Sequence, residues 1–268
     1  VRQKYFTGRL LMIAIAVFLY LPIVIMIVFS FNSSKSRTVW TGFTLEWYSA
    51  LFRNELIMSS LYTTILVSLL AAAIATVLGT AAAIGFSRMR RGTRQFFLTV
   101  NNIPAVNPDI ITGVSLMLLF VFIRSVTNIE LGFFTLLLAH ITFNVPYVIL
   151  SVMPKLRGLN KHLFEAALDL GATPIRAFWK VILPEIMPGV VSGALMAFTL
   201  SIDDFVISYF TAGSSVQTLP MTIFAMTRKR VSPEINAIST LLFTTVLLLL
   251  IVINVAQHRD QKKQKQKQ

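Results

Sequence analysis

Apolar residues recur along this chain in runs of about twenty, separated by short polar or basic stretches. A helix of that length crosses about 30 Å of hydrocarbon, since each residue advances it by about 1.5 Å. The pattern predicts an all-α integral membrane protein with six spanning helices, over residues 10–31, 57–86, 96–123, 131–152, 189–210 and 236–255. The first run follows Arg2, Lys4 and Arg9 as a signal peptide would. It is too long for a signal core and no small-residue cleavage site follows, so it reads as an uncleaved span. The second run is rich in Ala, Ser, Thr and Gly, which favours close helix packing in lipid. The third is interrupted by IPAVNPDI, where Pro104 and Pro108 each remove a backbone donor. That helix should bend or open there. Residues 1–258 read as one transmembrane domain, and the basic tail 259–268, with no apolar period, is expected to be disordered.

The longest water-facing stretch between spans is 154–188, and it predicts two helices joined by a tight turn. Asn160 can cap the first, which runs to Leu170, and Gly171 stands where a left-handed helix stop belongs. Thr173 can cap the second, with Pro174 at its first position, where the missing N–H costs nothing. Pro184 should close that helix or kink the chain toward the next span. Lys161, Glu165 and Asp169 fall four apart on one charged face, and Leu163, Phe164, Ala167 and Leu168 form the opposite stripe. Ala166 and Ala167 leave a shallow surface on which another protein can approach the backbone. Ser232 and Pro233 read as the cap and first position of the last helix.

Charge orients these elements. The chain is 55% hydrophobic and only 13% charged, too little charge for a water-soluble domain of 268 residues. If both termini are cytoplasmic, seventeen lysines and arginines lie inside and seven outside, the expected bias. The net charge of +13 therefore reports topology, not nucleic-acid binding. There is no cysteine, no zinc-type His motif, no Ser/His/Asp set and no phosphate-binding G-x-x-x-x-G-K-[ST] loop. No catalytic site, metal site or cofactor site is expected, and any ATP must be handled by a partner. His140, alone on an apolar helix, reads as structural.

Three acids need a reason. Asp109, Asp203 and Asp204 fall within apolar runs, where a carboxylate costs on the order of 2.5–3.5 kcal/mol at a helix centre. Along its run Asp109 lies about 20 Å in, near mid-membrane, and Asp203 about 21 Å from Gly189. An adjacent pair cannot easily keep both charges in low dielectric without a cation or water. A pathway for a positively charged substrate would supply that cation. Pairing with a base at a subunit seam, or a proton relay in a secondary carrier, would also answer it.

The water-facing stretch carries a specific signature: Glu165-Ala166-Ala167, then Gly171, then Val181-x-Leu183-Pro184. It resembles the EAA motif of ABC importer permeases, departing only in Val181, where isoleucine is usual. The resemblance implies the type I importer permease fold, with Glu165, Ala166, Ala167, Gly171, Leu183 and Pro184 in a coupling helix that docks on a cytoplasmic ATPase. Four further phrases, SFNSS at 30–34, NPDI at 107–110, SIDD at 201–204 and SPEINA at 232–237, are similar to the second permease subunit of spermidine/putrescine importers. This likeness implies a related permease as heterodimer partner and two ATPase subunits that bind ATP and Mg. It also implies an extracytoplasmic polyamine-binding protein and a place in the bacterial inner membrane. Carried over, Asp109, Ser201, Asp203 and Asp204 would line the pathway, and Trp47 would touch delivered substrate. A permease for another solute, or a proton-coupled carrier, are the alternatives.

Overall fold

The computed structural model describes residues 2–34, 39–128, 130–160, 162–229 and 233–266. Lys161 and Ser232, read above on a charged face and as a cap, lie outside them. The described residues are all-α apart from one isolated bridge, Asn32 to Phe43. The long helices are α1 (Arg2–Phe29), α3 (Glu55–Arg88), α4 (Arg91–Val106), α5 (Asp109–Thr127), α6 (Phe133–Gly158), α9 (Leu183–Ile202) and α12 (Pro233–Gln266). Shorter ones are α2 (Glu46–Arg53), α7 (His162–Asp169), α8 (Pro174–Ala177), α10 (Val206–Thr211) and α11 (Leu219–Lys229). Among the described residues, six stretches are long and apolar enough to cross a membrane: 9–29, 55–88, 109–127, 133–158, 174–202 and 233–251.

Three expectations are corrected. The third span opens at IPAVNPDI as read, but its two parts are not one span: α4 ends at Val106, and the membrane-length helix is α5 alone. Pro104 sits inside α4 without breaking it, while Pro108 forces Asn107 into extended backbone and opens the chain there. Asp109 therefore stands at the first residue of α5, not in mid-span. The fifth span is not continuous over 189–210; it ends at Ile202, and Asp203 to Phe205 separate α9 from α10. Nor does Pro184 end a helix. Ahead of it the backbone widens into a π turn over Phe178–Ile182, so α8 runs through into α9 as one stretch. A wider turn accommodates a ring that can neither donate to the preceding turn nor fit against it. The last helix, α12, continues to Gln266; lysine and glutamine are good helix formers, and extension needs no new nucleus.

The chain divides into two compact units. In the first, residues to 59 with 222–246, the SFNSS phrase is a folding centre. Asn32 donates to Val39 O at 2.8 Å and accepts from Thr41 N at 3.0 Å, while its own carbonyl accepts the Trp47 indole N–H at 2.7 Å. Phe31 stacks on Phe43 at 5.4 Å, and Ser30 bonds the Tyr48 hydroxyl at 2.7 Å.

In the second unit, 60–221 with 247–268, α6 is the central helix. Lipid gives no hydrophobic drive between helices, so contact depends on backbones approaching closely through small residues. Val148 sits between two of them. A Cβ on Gly193 of α9 would lie 3.2 Å from its Cα, and one on Gly79 of α3 2.7 Å from its Cβ. Ala72, Ala75, Ala83, Ala197, Ile149, Val152 and Ile186 complete this core. A second cluster, Phe120, Ala139, Phe143 and Ile207, joins α5, α6 and α10.

The turn after α7 forms as the sequence predicts. Gly171 has φ +80°, Ala172 N–H donates to Ala167 O at 3.1 Å, and Gly171 N–H donates to Leu168 O at 2.9 Å. Both bonds close the helix only if residue 171 is left-handed. Gly171→Ala should therefore cost about 1 kcal/mol locally and speed amide exchange in α7 about fivefold, with the spans unchanged by hydrogen-exchange mass spectrometry.

Candidate functional site

Two sets of residues carry the functional expectations, both in the second unit. The first is the segment from Asn160 to Pro184. Asn160 Oδ1 accepts His162 N at 3.0 Å and so starts α7, and Thr173 Oγ1 accepts Arg176 N at 3.4 Å and starts α8. Ala167 and Ala177 turn inward and are buried; Glu165 and Ala166 face out. Glu165 lies 3.2 Å from His162, an exposed pair that contributes at most about 1 kcal/mol. The same segment exposes three large apolar side chains, Leu170 at 89%, Ile175 at 72% and Trp179 at 62%. Exposed apolar groups gathered on a polar connection mark a contact surface. The sequence reading missed them, although Trp179 and Ile175, four apart from each other in a water-facing stretch, were a usable signal. Leu183 and Pro184 open α9, in line with α8, so the outward-facing α7 is joined to a spanning helix through one turn and one rigid rod.

The second set is the break between α9 and α10, where the two acids part company. Asp204 is inward and bonded: its Oδ1 accepts Ile207 N at 3.2 Å, and its Oδ2 accepts both Ser208 N and Ser208 Oγ at 2.8 Å. These are the otherwise unpaired N–H groups at the start of α10, where a carboxylate is favoured. His140 Nε2 of α6 stands 3.0 Å from Ser208 Oγ and 3.5 Å from Asp204 Oδ2. One turn on, Asn144 donates to Ser201 Oγ at 2.7 Å, and Thr135 donates to Thr211 O at 2.7 Å. One face of α6 thus presents Thr135, His140 and Asn144 to the broken helix. His140 is buried and hydrogen-bonded at this seam. The seam itself was not read in advance, though His140 with Asn144 and Asp204 with Ser208 are both spaced four apart.

Asp203 is different. It is exposed and forms the C-cap of α9, directly after the last carbonyls of a 20-residue helix. The negative end of the helix already lies there, so a carboxylate in that position is repelled by the backbone it terminates. Such a site favours a cation.

Asp109 begins α5, at a positive helix end that suits an anion without further help. It is exposed, and α5 packs on α10: a Cβ on Gly113, one turn beyond Asp109, would lie 3.5 Å from Ile207 Cα. The two helix breaks therefore belong to neighbouring elements. Ser201 is buried at the α6 seam. Trp47 belongs to the first unit, where its indole N–H is committed to the Asn32 carbonyl. Among the described residues no group of three His, Cys, Asp or Glu could hold a metal ion.

Residues 75–265 match the model of the family described as binding-protein-dependent transport system inner membrane component. The chain is 43% identical over 219 residues to the putrescine transport system permease protein PotI of Escherichia coli (strain K12), covering 80% of this chain and 78% of that one. It is 37% identical over 229 residues to the spermidine/putrescine transport system permease protein PotC of Haemophilus influenzae, covering 85% and 88%. Among solved structures it resembles a chain of a bacterial ABC transporter involved in import of the acidic polysaccharide alginate. That match has a TM-score of 0.69 at 16% identity, over 94% of this chain and 96% of that one.

Proposed function

The chain belongs to the family of binding-protein-dependent transport system inner membrane components, and on that premise we propose that it is a permease subunit of an ATP-driven polyamine importer. It is a multi-pass inner-membrane protein. The observation that carries the substrate class is Asp203: a carboxylate at the carbonyl end of α9 calls for a cation, and putrescine and spermidine are linear polycations. Broken helices whose ends face a solute path are how transporters place such sites.

In this reading both termini are cytoplasmic, and residues 1–258 form one permease domain that pairs with a related permease, two ATPase subunits and an external polyamine-binding protein. ATP and Mg stay with the ATPases. Asp203 meets the ammonium groups, Asp109 supplies a second negative charge near them, and Ser201 and Asp204 fix the break that presents Asp203. Trp47 acts by shaping its own unit. Glu165 and Ala166 form the surface pushed by the ATPase, the buried Ala167 and the left-handed Gly171 seat and turn the helix that carries it, and Leu183 and Pro184 lead that push into α9. The switch between outward and inward access is then a two-state change biased by nucleotide.

Uptake of labelled putrescine by cells that carry or lack this chain tests the substrate class. Excess putrescine or spermidine should suppress the chain-dependent part, and sugars and oxyanions should leave it intact. Competition by an uncharged or anionic solute instead would overturn the assignment.

A further inference from the structure

Against α7 lies a groove of about 310 Å³ lined by none of the residues assigned above to the transport path. Its walls come from the ends of two spans and the elements beside them: Ile84, Ser87 and Arg88 of α3, Leu156 with Leu159 and Asn160 at the end of α6, Phe164 of α7, and Phe178 and Ile182 of the π turn. Six of these nine side chains are apolar. Two of the polar groups are already committed, since Ser87 donates to Ile84 O at 2.7 Å and Asn160 accepts from His162 N at 3.0 Å. That leaves Arg88, whose guanidinium lies 5.6 Å from the centre of the Phe164 ring.

The charge at this place is not balanced by the chain. No acid lines the groove, and none of the ion pairs among the described residues includes Arg88. No acidic residue occurs between Glu55 and Asp109 or between Glu130 and Glu165, whereas Arg88, Arg90, Arg91, Arg94, Lys155 and Arg157 all fall in those intervals. The groove straddles the last turns of α3 and α6, which are the ends of two membrane-length stretches. An apolar slot with one uncompensated guanidinium at the membrane boundary matches an amphiphile with an anionic head.

We propose that this groove binds an anionic phospholipid, its phosphate on Arg88 and its acyl chain against Leu156, Leu159 and Ile182. Because Phe164 belongs to α7, the bound lipid braces the coupling segment from behind. The occupant is a lipid and not a free phosphate, since a soluble anion would leave the apolar walls unfilled.

The test uses the whole purified transporter in phosphatidylcholine nanodiscs with and without phosphatidylglycerol. Native mass spectrometry should find phosphatidylglycerol retained by the wild type and by Arg88→Lys. Arg88→Gln should lower the apparent lipid affinity about fivefold, the effect of one basic group near the surface. Arg91→Gln, outside the groove, should change it by less than half of that. Glycerophosphate should not displace the lipid. Equal losses in Arg88→Gln and Arg91→Gln, unchanged retention in Arg88→Gln, or displacement by glycerophosphate would each overturn the proposal. Loss of lipid from Arg88→Lys to the same extent as from Arg88→Gln would also overturn it.

Discussion

Asp203→Asn is expected to remove polyamine uptake while leaving an assembled transporter of normal thermal stability. Asp204→Asn should do the opposite, lowering stability first. The two positions are adjacent in sequence and lie on opposite sides of a helix break. Asp203 ends α9, where its charge adds to that of the terminal carbonyls. Neutralising it should relieve the free protein and penalise only the state that holds a cation. A charge partner at membrane depth is worth about 2–3 kcal/mol, so uptake at limiting substrate should fall on the order of 30- to 100-fold.

Asp204 instead accepts three hydrogen bonds, two from backbone N–H groups of α10 and one from Ser208 Oγ. An amide retains one acceptor oxygen but turns an NH2 group toward donors. Leaving buried donors unpaired costs about 1–3 kcal/mol. The melting temperature of the purified complex should drop, and uptake should fall in proportion to the complex that survives. Uptake per assembled transporter, read beside melting temperature, separates the two roles. Normal uptake by Asp203→Asn, or an unstable Asp203→Asn complex, would count against them.

The split between these acids was not legible in the sequence, and the reason is local. Asp203 and Asp204 sit inside a run that is apolar from Gly189 to Phe210, and periodicity alone assigns such a run to one helix. What ends α9 is the competition that Asp204 offers to the backbone, bonding the N–H groups of residues three and four ahead. Helix interiors and caps draw on the same residue types, so only the spacing of Asp204 to Ser208 could have separated them. In the third span the opening at the prolines was read, but the position of Asp109 was misplaced for a related reason. Apolar content runs on through α4, but Asn107 before Pro108 is forced out of helical backbone, and that single restriction moves Asp109 from mid-span to a helix start. The segment around Glu165 was read more fully because its signals are turn chemistry: the cap at Asn160, the left-handed Gly171 and the Thr173-Pro174 start all depend on neighbours in sequence. Pro184 depends on what the preceding turn can do, and a π turn leaves no simple mark.

The same segment yields the second large effect. Glu165→Lys should assemble poorly with its ATPase partner and lose coupled uptake, while the chain itself still folds and inserts. Among the described residues, Glu165 pairs with His162, and both are exposed. Losing that pair, and placing a cation in the first turn of α7, costs about 1–2 kcal/mol at most. A partner seated over Ala166 and the apolar Leu170, Ile175 and Trp179 would remove Glu165 from water. A reversed charge is then buried opposite whatever base had met the glutamate, and truncating or reversing a desolvated charge contact costs about 2–5 kcal/mol or more. That amounts to a loss on the order of 30- to 5000-fold in partner affinity. Co-purification of the ATPase with the tagged permease, measured beside uptake and membrane abundance, checks it. Glu165→Gln, which removes the charge but keeps the shape, should fall between the two. A Glu165→Lys chain that retains its full complement of ATPase and transports normally would mean that force enters the membrane through some other contact.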